Sequence, residues 1–364
     1  MTTHQNYLFA LGVLTLTSLM SVGLISYHID PANIYHPNIE ADTNGSPSTF
    51  AAQLLSSKNG LLWPNNSWNE RDIKSSLAKS RVNIDCAIIG SSHAMQISSF
   101  RKNSSLTGFC RDILNLGVSG GTIEDYLAMS FILLNKNQKP NTIVFSVDPW
   151  SLDFGRDSRW ERYKDSYLSM KRMLLLSSDA DSSVKSESTG KLLLNLINPS
   201  YFVRSINQIG MPKHEIKQAP FFKLEDGIND PVFLPDGSLI FSNEYILNSA
   251  TSKIPIGGGD YKIKPRSQIS ENAINIFEKL LKILNNEGIS SIIVMTPYHH
   301  NVWVDNKSTT VKALMEVEPR IRELGRKIGV KVLGSYNPNT IGCVPDEFYD
   351  YMHAKDSCLS KIDQ

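Results

Sequence analysis

Charge is missing from one long stretch of this chain. Residues 7–29, YLFALGVLTLTSLMSVGLISYHI, contain no Lys, Arg, Asp or Glu and a single histidine, His28, near the end. Crossing a bilayer core takes about 20 apolar residues, so this run is long enough to span one. A secretory signal has a basic start, a shorter apolar region and a small-residue cleavage site. Here the basic start is missing and no clean A-x-A follows. The expectation is an uncleaved N-terminal anchor over residues 1–29, with a cleaved signal or a buried core helix as alternatives. The flanks also lack the Lys/Arg bias that sets orientation.

Other absences narrow the partners. Net charge is +1 over 364 residues, and no block of like charge forms a binding tail. Nucleic acid is therefore not an expected partner, because phosphate backbones are held by concentrated basic surface. Cysteine is scarce, at positions Cys86, Cys110, Cys343 and Cys358. Their spacings fit no zinc pattern. Outside the cytoplasm such cysteines can oxidise. Cys86 and Cys110 each open a predicted strand, and Cys343 and Cys358 bracket a loop, so these two local pairs are the expected disulfides. A bridge closing a loop of about 15 residues contributes roughly 3 kcal/mol. Four free buried thiols are the alternative. No internal repeat or low-complexity segment occurs.

What is present is an alternation of apolar strands and amphipathic helices. Hydrophobic residues make up 41% of the chain, enough for a real core. Strands are expected at 85–89, 112–116 and 142–147, with a helix at 122–134. The alternation resumes with a helix at 270–286, where Ile274, Phe277, Leu280, Leu281 and Leu284 share one face and Gly288 follows as a stop. A strand at 290–295, a helix at 308–328 bent near Pro319, and a strand at 330–333 complete it. The pattern predicts an α/β fold, a three-layer sandwich around a parallel sheet of about five strands.

Residues 30–69 read as a linker and a short packed segment around Leu54, Leu55, Leu61, Leu62 and Trp63. The division expected is an anchor at 1–29, a lead-in at 30–80 and a domain at 81–364 with an insertion at about 155–265. The insertion carries a hairpin signal, VFLPDGSLIF at 232–241, and a loop, IGGGD at 256–260. Residues 156–172 mix charge with Trp160, Tyr163 and Tyr167. They read as a solvated helix face, with a sugar-contacting surface as the alternative.

Three segments carry chemistry. IDCAIIGSSHAMQ, residues 84–96, puts Ser91 and Ser92 just beyond a strand. Parallel sheets place ligand sites at that end, and the helix start that follows offers backbone N–H groups to an anion. A serine there needs a base to become a nucleophile. LNLGVSGGTIEDYL, residues 114–127, brings Gly117, Gly120 and Gly121 to the end of the next strand, where backbone N–H groups can face a developing oxyanion. DEFYDYMHAKDSC, residues 346–358, sets Asp350 three positions before His353. In a turn that spacing places both side chains on one side. The carboxylate can then fix the imidazole tautomer while the other ring nitrogen takes the serine proton.

These blocks, in this order, resemble the SGNH (GDSL-like) hydrolase superfamily. GSS at 90–92 is similar to its first block, NLGVSGGT at 115–122 to its second, and DYMH at 350–353 to its last. The resemblance implies Ser92 as nucleophile, His353 as base and Asp350 as its orienting acid, with the N–H groups of Ser92 and Gly120 as oxyanion donors. It implies no cofactor and no metal. There is a departure: the third block usually supplies an Asn, and here that place reads FSVDPWSLD, residues 145–153. An ionised Asp148 would repel an oxyanion. Either a backbone N–H replaces the Asn, or Asp148 points away, or the hole is weaker.

The Pro-Trp turn and the N-terminal anchor make the chain similar to the membrane-anchored proteins of envelope acylation, of the teichoic-acid D-alanine-transfer and alginate O-acetylation kinds. That likeness implies a domain on the periplasmic side and O-acyl transfer to an envelope or exported polysaccharide. It also implies a multi-pass membrane acyltransferase as partner. Asp148, Trp150, His299 and His300, all at strand ends, are expected to face substrate, and His93 to line the pocket rim. A plain esterase or lipase, and a catalytically silent polysaccharide-binding or scaffolding module, are the alternatives.

Overall fold

A computed structural model describes residues 3–29, 46–63, 68–103, 106–176, 196–208, 216–251, 254, 256 and 270–363. In chain order the elements begin α1 (Thr3–Ile29), α2 (Pro47–Ser56), β1 (Leu61–Leu62), α3 (Glu70–Ser80), β2 (Cys86–Ile89), β3 (Ile113–Asn115) and α4 (Ile123–Leu134). Next come β4 (Thr142–Ser146), α5 (Lys164–Leu176), α6 (Pro199–Gln208), β5 (Val232–Phe233), β6 (Leu239–Ile240) and α7 (Asn243–Thr251). The rest are α8 (Glu271–Asn286), β7 (Ser290–Met295), α9 (His300–Val304), α10 (Thr309–Ile328), β8 (Lys331–Gly334) and α11 (Asp356–Leu359).

The core is a five-stranded parallel sheet in the order β3-β2-β4-β7-β8. The fold is thus α/β with a parallel sheet, as the alternation predicts. The chain leaves β2 toward β3 on one side and returns to β4 on the other. The order therefore reverses between β2 and β4, and a crevice opens at the carboxyl ends of those strands. The strands read as apolar runs because both faces are covered. On one face Phe145 packs against Tyr126 of α4 and Phe277 of α8, with ring centroids 5.6 and 5.2 Å away. On the other, Ile88, Val144 and Val294 meet Phe348, Leu359 and Ile362 from the C-terminal segment. The long helix α10 is capped by Ser308 and closed by Gly329 in the left-handed region; it continues past Pro319 to Ile328.

The hairpin signal is an antiparallel β5–β6 pair, extended to three strands by β1. Gly237 turns it at φ +81, and a Cβ there would lie 2.5 Å from the Asn115 carbonyl oxygen. The turn thus sits directly on β3, where the Asn115 N–H bonds the Asp236 carbonyl at 2.6 Å. The predicted loop at 256–260, apart from Ile256, and the linker residues 30–45 and 64–67 lie outside the described residues.

The chain divides into two units. One comprises Met1–Asn44, Pro64–Asn69 and Ala180–Glu215, and within it α1 packs on α6. Helix α1 is long and apolar enough to cross a membrane, with mean hydropathy 2.1 over an 18-residue window within His4–Ile29. Leu8, Phe9, Leu14 and Met20 are exposed along it. The second unit comprises Gly45–Trp63, Glu70–Asp179 and Ile216–Gln364 and contains the sheet. Of the expected insertion at about 155–265, residues 180–215 fall in the first unit and the remainder in the unit that contains the sheet.

Two disulfides join Cys86 to Cys110 and Cys343 to Cys358. Both suit an oxidising compartment. The second closes the segment after β8 into a loop and lies in the same apolar cluster as Phe348 and the strand residues Val144 and Val294. Cys343→Ser with Cys358→Ser is expected to lower unfolding free energy by about 3 kcal/mol. A denaturant titration of the double variant against wild type under non-reducing conditions checks this; equal midpoints contradict it.

Candidate active site

Strand β2 ends against β4 so closely that only glycine fits next. A Cβ on Gly90 would lie 2.7 Å from the Cβ of Ser146. Ser91 then caps a single 3-10 turn over Ser92–Ala94, its Oγ accepting the His93 N–H at 3.1 Å. This leaves Ser92 half-buried at the carboxyl end of the sheet.

The segment 348–354 reaches the same place as a tight loop. It is closed by a Phe348–Ala354 bridge and by the Tyr349 N–H on the His353 carbonyl at 2.9 Å. His353 Nε2 lies 2.9 Å from Ser92 Oγ, and His353 Nδ1 lies 2.7 Å from Asp350 Oδ2. Asp350 Oδ1 accepts the N–H groups of Met352 and His353 at 2.8 and 2.7 Å. Tyr245 of α7 donates its hydroxyl to Asp350 Oδ2. Burial pushes the Asp350 carboxyl up, but His353, Tyr245 and the Met352 N–H outweigh it and hold the group below the usual carboxylate range. Burial, followed by the Asp350 charge, raises the Tyr245 phenol, so Tyr245 stays a donor. An ionised acid, an imidazole and a serine hydroxyl thus form one hydrogen-bonded chain.

The glycine loop after β3 lies on this turn. The Val118 N–H bonds the Gly90 carbonyl at 3.0 Å, and a Cβ on Gly121 would come within 2.4 Å of the same oxygen. The Ser119 N–H bonds Glu70 Oε2 at 2.6 Å, and its carbonyl accepts Arg159 Nη2 at 2.8 Å. Gly120 has φ +62, and a Cβ there would meet that guanidinium at 2.7 Å. Among the described residues no acceptor holds the N–H of Ser92 or of Gly120. Two donors of this kind can serve a developing negative charge.

Asp148 is fully buried, with its carboxyl against Ser91 and His93. The expected substrate contact is corrected: no face of it reaches solvent. Trp150 is likewise buried, its ring edge-to-face with His93 at 5.2 Å. His299 caps α9, accepting the Asn301 N–H on Nδ1 at 3.0 Å, and is buried. Burial first, then His300, lowers its pKa. It is a structural cap rather than an open contact. His300 is half-buried against His299 and Phe348. His93 is interior, not at a rim, because the 3-10 turn rolls it under the sheet end.

The aromatics of 156–172 also point inward. Trp160, Tyr163 and Tyr167 are buried, and Tyr163 donates to Asp125 at 2.5 Å. The stretch keeps a solvated face, with Arg156, Lys164, Asp165 and Arg172 exposed, while its buried aromatics form no open sugar platform. The rings beside the triad come instead from elsewhere: Phe241 lies 5.8 Å from the His353 ring and 5.1 Å from Tyr349. Sequence reasoning missed Tyr245 and Phe241, whose positions in an irregular insertion gave no periodic signal. A cavity of about 1060 Å³ lies apart from the triad, along α10 and β8, with Trp303, Met315, Arg322 and Lys331 in its wall.

Glu124, at the start of α4, is buried and accepts the Gly155 N–H at 2.6 Å. Burial raises its pKa to about 7, against about 4.3 for an unfolded glutamate. Its neutral form therefore favours the fold below about pH 4.3, and that contribution is lost as pH rises toward 7. Glu124→Gln is expected to stabilise the protein at pH 8 and leave it unchanged at pH 4. Melting at both pH values checks this; an equal shift at both contradicts it.

No family model matches the chain, and no curated protein matches it.

Proposed function

We propose that this chain is a membrane-anchored serine acyltransferase of the SGNH hydrolase type, working on polysaccharide of the cell envelope outside the cytoplasm. One observation carries the reading: the hydrogen-bonded chain from Asp350 through His353 to Ser92, at the carboxyl end of the strand where the sheet order reverses. Ser92 Oγ attacks the acyl carbonyl while His353 Nε2 takes its proton. The N–H groups of Ser92 and Gly120 hold the oxyanion. The imidazolium returns the proton to the leaving alcohol, and the acyl group stays on Ser92. A sugar hydroxyl, deprotonated by His353, then takes the acyl group; water in its place would make the protein an esterase. The chemistry needs no metal or cofactor.

Helix α1 and the two disulfides support the location. A multi-pass membrane acyltransferase is the partner that would deliver acyl groups to such a site. The test is the partition of the acyl group. Full-length protein in detergent is given p-nitrophenyl acetate, with and without envelope polysaccharide. Ester on the polysaccharide, with little free acetate, is expected. Free acetate alone supports the esterase. No turnover supports a silent polysaccharide-binding module, which the absence of a side-chain amide at Asp148 favours.

A further inference from the structure

The residue standing where an oxyanion Asn was expected has a built environment. Asp148 follows β4 and is wholly buried. Its Oδ2 accepts the Ser91 hydroxyl at 2.5 Å. Its Oδ1 lies 2.8 Å from His93 Nδ1, in contact but without an aligned hydrogen bond. Thr296 Oγ1 stands 3.3 Å from the same ring nitrogen. Ser91 Oγ in turn accepts the His93 N–H. Around this group lie Tyr126, Tyr298 and Tyr336, whose phenols are raised by burial and next by the Asp148 charge. The main chain of Asp148 is itself fixed, its N–H on Ser151 Oγ at 3.1 Å and its carbonyl accepting the Ser151 N–H at 2.9 Å.

Ser91 and His93 are the two chain neighbours of Ser92. One carboxyl therefore bonds the turn on one side of Ser92 and abuts it on the other. The His93 ring also packs edge-to-face on His353, 5.2 Å between centroids. The same side chain thus bears on the base as well as on the serine.

We propose that Asp148 is a positioning residue: by holding Ser91 and His93 from behind, it sets Ser92 Oγ and the Ser92 N–H in place for acyl transfer. This rests on Ser92 being the nucleophile. It also gives the departure at block three a physical role. The carboxyl is engaged with the turn through Ser91 Oγ rather than offered to the oxyanion as a donor. Misplacing a reacting group by about 1 Å can slow a step about 10²-fold, which sets the size of effect expected.

The experiment uses full-length protein in detergent and a fluorophosphonate probe. Labelling rates at several probe concentrations separate probe affinity from the rate of bond formation. Asp148→Asn keeps the size of the side chain, and Ser91→Ala is a milder second variant if the first folds poorly. Thermal midpoints report folding alongside. The expected result is a drop of roughly 10²-fold in the bond-forming rate per folded molecule for Asp148→Asn, with probe affinity unchanged. Ser91→Ala should lower the same rate constant, and the double variant should lose less than the two losses combined, because the residues act as a unit. Folded variants that label at the wild-type rate overturn the clamp alone. Wild type that takes no label overturns the Ser92 reading and this role with it.

Discussion

His353→Ala is expected to slow acyl transfer from p-nitrophenyl acetate by about 10⁴- to 10⁶-fold, and Ser92→Ala by the same order. The reason lies in the distances. Ser92 Oγ has His353 Nε2 at 2.9 Å, and His353 is held by Asp350 at 2.7 Å, so the proton has one short route. Asp350→Asn should fall by about 10⁴-fold, since an amide can stabilise the wrong imidazole tautomer. The double variant Ser92→Ala/His353→Ala should be no slower than either single one, because the residues share one step. Turnover with purified full-length protein checks the series. Losses of less than about 10-fold would place the reaction elsewhere.

The second large effect concerns stability. Arg71→Ala is expected to lower unfolding free energy by about 3–5 kcal/mol, the usual result of stripping one partner from a buried ion pair. Arg71 is wholly buried and forks onto Asp125 at 2.7 and 3.0 Å. Asp125 also caps α4 through the Thr122 N–H at 2.8 Å and accepts Tyr163. Burial would lower the guanidinium pKa, but the Asp125 charge and bond outweigh it, so the group stays charged. Removing it leaves Asp125 buried and poorly compensated, beside the loop that carries Gly120. Denaturant titration measures the loss; a change below 1 kcal/mol would show that Asp125 has another counter-charge.

The sheet was legible because its physics is local. Strands such as Cys86–Ile89 and Ser290–Met295 are short, mainly apolar runs beside glycine or polar punctuation, and buried parallel strands are built that way. Helix α8 showed its Phe277 and Leu280 face by spacing alone. The disulfides followed from Cys86 and Cys110 opening two predicted strands and from Cys343 and Cys358 bracketing a loop. The buried charges were not legible. Arg71 and Asp125 lie 54 positions apart, one in the lead-in segment and one at the start of α4, and only the packed chain brings them together. His93 reads as a pocket-rim residue because on a regular helix it would face away from its neighbour Ser92. The Ser91 cap tightens that turn into a 3-10 coil and rolls it inward. Asp350 and His353 could be paired by spacing, but their meeting with Ser92, 261 positions from His353, is a property of the fold.

Whether Ser92 carries an acyl group is tested most directly by mass. Full-length protein in detergent is treated with an activated acetyl ester, quenched in acid, and weighed intact before peptide mapping. The account predicts one added acetyl group, on the peptide containing Ser92, that is absent from Ser92→Ala and His353→Ala. Acetyl spread over lysines with none on Ser92, or equal labelling of wild type and both variants, would contradict it.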